Sequence, residues 1–240
     1  MKSVILQPTY LPWMGYFGMI DIADVFVFYD DVQFEKQSWQ QRNRIKTPQG
    51  ETWLSVHIFH DFGQKISEVK INDASNWRKK HWQSIYQSYA KAPHFGDYQD
   101  EIGKIYQKEW EYLGELNIHI IRKLSELLDV HIPRFIRSSE LEGIAGQKTD
   151  RLFPILEQIG ADEYITGPGT KDYLETDKFK ERGIKLYWYE YQHPVYPQIR
   201  GEFIPYLSAI DLLFNTGSEA AKFIREGLKD ALKLDQVVSK

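Results

Sequence analysis

Two hydrophobic periods run along this chain, and its first thirty residues contain both. Val4-Ile5-Leu6 is too short and too β-branched for a helix; it is cut at Pro8, and after Pro12 the apolar positions return at helical spacing. Val25-Phe26-Val27-Phe28-Tyr29 is a second apolar run, closed by Asp30-Asp31. The order is strand, loop, helix, strand. It recurs near the end, where Glu163-Tyr164-Ile165-Thr166 runs into the turn Gly167-Pro168-Gly169-Thr170-Lys171, a helix through Phe179 with a stop at Gly183, and the alternating strand Ile184 to Tyr189. Strands near 3–8, 25–29, 163–166 and 184–189 are therefore expected in one sheet. The predicted class is α/β, a mostly parallel Rossmann-like sheet with helices on both faces.

Between these units the pattern changes. Val32 to Lys46 is polar, amide-rich and without a period, which predicts a loop leading into a strand; Pro48-Gln49-Gly50 has turn chemistry, and Glu51 to Val56 reads as the returning strand of a hairpin. Ser67 to Ile71 alternates as another strand. From Trp77 to Tyr89 the spacing of Trp77, His81, Ile85 and Tyr89 is helical. Tyr98 to Leu128 continues at three- and four-residue steps, as one long helix or two shorter ones, so a helical insertion is expected around 75–128. Its aromatic and aliphatic stripe is assigned to core packing. Val130 to Ile136 returns to strand character, Thr149 to Gly160 forms a short capped helix, Ile204 to Phe214 another, and a polar helix closes the chain. Without repeats or a linker, residues 1–240 are expected to form a single domain.

Composition excludes several chemistries. There is no cysteine, so thiolate nucleophiles, disulfides and Cys-ligated metal sites are ruled out. A formal charge of -4 gives no basis for nucleic-acid binding. The segment before Gln7 is too short in apolar residues for a signal peptide, and no apolar run approaches a membrane span, so a cytoplasmic location is expected. Seven Trp, fifteen Tyr and thirteen Phe suit a bulky core or a pocket for flat or sugar-like ligands.

Candidate chemistry gathers at the first two strand ends. Parallel strands deliver their carboxyl ends to one edge, where ligands of open α/β sheets bind. Gln7, Tyr10, Trp13, Asp30, Trp39, Arg42 and Asn43 are therefore expected to converge in one cleft. Arg42, Arg44 and Lys46 alternate and would share one side of a strand, as an anion clamp or as a solvated hairpin edge. Gly167 and Lys171, at a strand-to-helix turn, offer backbone approach and charge for an anion; the same turn also reads as an ordinary connection, and the spacing is not that of a P-loop. Asp30 and Asp31 are candidates for orienting a hydroxyl or binding Mg²⁺, or are turn residues. His57 and His60, three apart on an extended segment, face opposite ways, and no metal site is assigned. Arg78-Lys79-Lys80 is read as a solvated helix face.

The blocks Gln7 to Phe17, Asp30 to Phe34, Trp39, Arg42 to Lys46, Gly160-Ala161, Tyr164, Gly167, Tyr173-Leu174, Tyr196, Gln198, Phe203 and Leu207 to Gly217 together resemble the WbqC-like protein family over nearly the whole chain. Members occur with bacterial O-antigen and other surface-polysaccharide genes. The resemblance implies a glycine (aminoacyl) transferase role with a small-molecule or nucleotide-sugar substrate. More distantly, Trp13-Met14-Gly15-Tyr16 looks like the H-x-G-H loop of nucleotidylyltransferases and class I adenylate-forming ligases, with Trp13 and Tyr16 where the histidines would be. That likeness implies ATP or another nucleotide, with Mg²⁺ as an option, and acyl activation through an adenylate; nucleotidyl or sugar-nucleotide transfer, or non-catalytic binding, are the alternatives. With both imidazoles missing, any phosphate charge must be met elsewhere, by Arg42, Arg44 or Lys171. The combined assignment is Gln7, Tyr10, Asp30 and Arg42 for catalysis, and Pro8, Thr9, Trp13, Gly15, Tyr16, Trp39, Asn43, Arg44, Gly167 and Lys171 for substrate or nucleotide.

Overall fold

In the computed structural model, which describes residues 1–235, the chain runs β1 (Lys2–Leu6), α1 (Met14–Ile22), β2 (Val25–Phe28), β3 (Arg42–Thr47), β4 (Gly50–Ser55), β5 (Ile58–Phe59), β6 (Lys70–Ile71), α2 (Trp77–Tyr89), α3 (Phe95–Gln107), α4 (Leu113–Leu127), β7 (Arg134–Arg137), α5 (Lys148–Ile159), β8 (Glu163–Thr166), α6 (Thr176–Glu181), β9 (Lys185–Tyr189), α7 (Ala209–Thr216), α8 (Ala220–Glu226) and β10 (Leu232–Leu234). The central sheet has the order β10-β9-β8-β1-β2-β7. β1 pairs in parallel with both β2 and β8, and β7 and β9 extend the parallel run outward. Among the described residues, only β10, at the edge of this sheet, is antiparallel. The expected mostly parallel α/β sheet is therefore present. From β1 the chain builds outward through β2 to β7 and then returns to the other side of β1 for β8, so the strand order reverses between β1 and β8, and the crevice at their carboxyl ends is where ligands of such sheets bind.

Alternation along each strand divides the core into two layers. Val4, Phe26, Phe28 and Ile165 pack with α1, α4 and α7, whereas Ile5, Val25, Val27 and Tyr164 pack with α5 and α6. Phe26 and Phe28 are fully buried, and sequestering such a side chain stabilises the fold by roughly 1.5–3 kcal/mol. The connection from β2 to β7 holds the hairpin β3–β4, the two-residue pair β5–β6 and the helices α2, α3 and α4. Among the described residues no helix is long and apolar enough to cross a membrane.

Four segments differ from expectation. Ser67 to Ile71 is a 3-10 turn, Ile66–Glu68, with only Lys70–Ile71 as strand, because Ile66 and Val69 are both buried and a strand would send them to opposite faces. The turn after β8 does not open a helix: Pro168–Thr170 is a single 3-10 turn, and α6 starts only at Thr176. Ile204 to Phe214 is helical only from Ala209, where the Ser208 hydroxyl caps the Ile210 N–H. The expected polar C-terminal helix is the short α8 followed by β10, whose backbone completes the sheet edge against β9; residues 236–240 lie outside the described residues.

Candidate functional site

A cavity of about 610 Å³ opens beyond the end of β1, between α1 and the polar segment that precedes β3. Gln7, Thr9, Trp13, Gly15, Tyr16, Trp39, Asn43 and Arg44 line it, together with Glu35, Ser38, Gln40 and Tyr206. The loop from Pro8 to Trp13 is held in shape by buried amides. Asn117 of α4, fully buried, donates through Nδ2 to the carbonyls of Pro8 at 3.1 Å and Gln40 at 2.8 Å. Asn43 donates to the Leu11 carbonyl at 2.7 Å, at the one residue of the loop with a left-handed backbone, φ 45°. Gln40 Nε2 donates to Gln7 Oε1 at 2.9 Å, and the Tyr10 N–H donates to the Trp39 carbonyl at 2.9 Å. The two loops are thereby tied into one wall, since each buried carbonyl needs the donor it finds there.

Aromatic rings form the opposite side. The Trp13 indole lies over Gly15, stacks on His193 with centroids 6.0 Å apart, and meets Tyr191 and Tyr206 edge-on. A Cβ at Gly15 would come within 2.2 Å of the indole, so a side chain there would have to displace the ring. Burial pushes the His193 pKa down, and its Nε2 accepts the Tyr206 N–H at 3.1 Å, which holds Tyr206 at the rim. Trp39 is 49% exposed and tilts against Trp53 at 5.4 Å, leaving an aromatic platform at the entrance.

Several expected members lie elsewhere. Tyr10 is fully buried, and its hydroxyl bonds to His81 Nδ1 at 2.8 Å and the Tyr106 hydroxyl at 2.9 Å, on the side of α2 and α3. Desolvation drives the Tyr10 hydroxyl well above its ordinary pKa and pulls His81 down to about 4. Asp30 is also fully buried. It accepts from Arg137 Nε at 2.8 Å and from the Ser139 N–H and hydroxyl at 3.0 and 2.9 Å, fastening the end of β7 to the end of β2. Asp31 pairs with Arg151. The two carboxylates, each engaged by an arginine, do not make the oxygen cluster that Mg²⁺ requires. Among the described residues no group of three or more His, Asp or Glu is arranged to hold a metal ion.

The basic residues divide in the same way. Arg42 does not line the cavity; its guanidinium carbon lies 4.4 Å from the Trp53 ring centre. Arg44 does, but its Nη1 donates to both Glu51 oxygens at 3.0 and 2.8 Å, so its charge is balanced before any ligand arrives. Lys171 pairs with Glu190 at 3.0 Å and lines neither this cavity nor its neighbour. Pro8 contributes its carbonyl to Asn117, and Gly167 lines a separate cavity.

The WbqC-like protein family model matches residues 7–223. The chain belongs to that family. It is 38% identical over 228 residues to the uncharacterized protein Rv1507c of Mycobacterium tuberculosis (strain ATCC 25618 / H37Rv), covering 93% of this chain and 97% of that protein. No solved structure matches it. In this WbqC-like chain the residues that sequence reasoning missed are Glu35, Ser38, Gln40, Tyr206 and the positioning residue Asn117. The first three lie in the amide-rich segment whose lack of a period already marked it. Asn117 and Tyr206 have no local signal, because only folding brings them to the Pro8–Trp13 loop.

Proposed function

We propose that this WbqC-like protein is a sugar-directed transferase of surface-polysaccharide assembly, with the sugar acceptor in the 610 Å³ cavity and a glycyl or related aminoacyl group as the group transferred. The observation behind this is the cavity's chemistry. Trp13, Trp39 and Tyr206 line it together with the side chains of Gln7, Thr9 and Ser38, and its one arginine is neutralised by Glu51. A pyranose has an apolar C–H face that covers an aromatic ring and a rim of hydroxyls that needs amide and hydroxyl partners. The lining carries no uncompensated cation to meet a phosphate. The WbqC-like resemblance supplies the glycyl group and the polysaccharide context. Glu35 lines the cavity and is exposed, and in this reading it takes the proton lost by the attacking sugar amine or hydroxyl. Activation of the glycine carboxylate by ATP would provide the leaving group.

Amino sugars and neutral sugars titrated into the protein, followed by tryptophan fluorescence, test the cavity. Trp39→Ala should weaken binding about tenfold, the equivalent of ~1.4 kcal/mol, with little change in melting temperature, since the side chain is half exposed. Unchanged affinity in Trp39→Ala would remove the sugar from this cavity. Transfer of labelled glycine to the bound sugar, with ATP present, tests the reaction, and Glu35→Gln should keep binding and lose transfer. A second reading, non-catalytic carbohydrate binding, has its own support in the burial of Tyr10 and Asp30 away from the cavity. It is the better one if sugar binds as expected and neither glycine transfer nor glycine-dependent pyrophosphate release appears.

A further inference from the structure

A second cavity of about 430 Å³ lies between the carboxyl ends of β1 and β8, where the strand order reverses. It shares Leu6, Gln7 and Met19 with the aromatic cavity and is otherwise separate from it. Its far wall has a different chemistry. Lys148, the first residue of α5, and the hydroxyl-bearing Tyr29, Tyr164, Thr166 and Tyr173 line it, over an aliphatic floor that includes Ile5 and Leu152. Among the described residues no carboxylate lines the cavity, and none is within ion-pair distance of Lys148. The contrast with Lys171, paired to Glu190, decides which lysine on this edge has charge to offer.

Lys148 is also in the wrong backbone region for its type. Its φ is 49°, in the left-handed region that glycine and asparagine adopt more readily than a lysine does. The volume exceeds what glycine or inorganic phosphate fills and lies in the ordinary range for small-molecule sites, ~300–1,000 Å³.

We infer that this crevice is a nucleoside phosphate subsite, in which Lys148 meets the phosphate, the tyrosine and aliphatic walls take the nucleoside, and Gln7 separates it from the sugar cavity. It would supply the donor half of the proposed transfer; it rests on that reading for its role in a reaction, while the binding itself can be measured alone.

Two substitutions test it without threatening the fold. Lys148→Asn removes the charge and suits the positive φ. Gly167→Val adds bulk to the cavity wall at a residue with ordinary extended dihedrals, φ -73° and ψ 160°, where a new Cβ meets only Met19 Cε at 3.8 Å. Calorimetric titration of ATP and AMP into the full chain should show binding that weakens about tenfold or more in each variant, with melting temperatures no lower than wild type. Sugar affinity in the aromatic cavity should be unchanged by Lys148→Asn. The inference is overturned if neither nucleotide binds, if both variants bind nucleotide as wild type does, or if glycine or inorganic phosphate binds and the nucleotides do not. Failure of the sugar reading would show separately, as an unaffected sugar titration in Trp39→Ala.

Discussion

Asn117 offers the sharpest check on how the site is held together. It is fully buried on α4 and gives both N–H bonds to carbonyls of the two loops that form the cavity wall, Pro8 at 3.1 Å and Gln40 at 2.8 Å. Asn117→Ala leaves two buried carbonyls without a donor, each costing about 1–3 kcal/mol. Part of that is recovered, because the Asn117 Oδ1 is itself buried without a partner and disappears with the side chain. A net loss of about 2 kcal/mol is expected, a drop of roughly 4–8 °C in melting temperature for a chain of this size. Asn117→Asp keeps the shape but turns the donor into an acceptor facing two carbonyls, so it should cost more than alanine. Urea unfolding followed by tryptophan fluorescence measures both variants, through the midpoint at constant slope. Sugar affinity should fall in Asn117→Ala as the two loops separate. If Asn117→Ala stays within about 0.5 kcal/mol of wild type, or if aspartate is no worse than alanine, the amide is not the staple the geometry implies.

Two further outcomes follow from the same packing. Gly15→Ala should lose about 1–3 kcal/mol despite alanine's better helix propensity, since its Cβ would lie 2.2 Å from the Trp13 ring and must displace it; a melting temperature at or above wild type would contradict this. His81, pulled by burial to about 4 from an ordinary 6.5, holds fewer protons in the folded chain than in the unfolded one between those values. Its contribution is therefore complete above about pH 6.5 and is lost as pH falls, by roughly 3 kcal/mol at pH 4. Unfolding curves from pH 7 to 4 should show that loss in wild type and a smaller one in His81→Gln; equal slopes would remove His81 as its source.

What the sequence determined by itself is the sheet and its edge. Val4-Ile5-Leu6 and Val25 to Phe28 are apolar runs, and Glu163 to Thr166 and Lys185 to Tyr189 are mixed or alternating segments, all of strand length and set off by helical periods, and periodicity is a local property that survives without tertiary contacts. The same logic put Gln7, Thr9, Trp13 and Tyr16 at the end of the first strand, where the cavity opens. Only the tertiary structure decided how those residues are used. Tyr10 turns inward to His81 and Tyr106 while its neighbour Thr9 lines the cavity, and Asp30 is taken up by Arg137, more than a hundred positions away. Arg44 is neutralised across a hairpin and Lys171 across a parallel pair, while Lys148, unremarkable in the sequence, is left on a cavity wall. The physical reason is range: hydrophobic period and turn chemistry act between near neighbours, whereas the partner that satisfies a buried carboxylate, amide or guanidinium is chosen by which distant segment the fold packs against it.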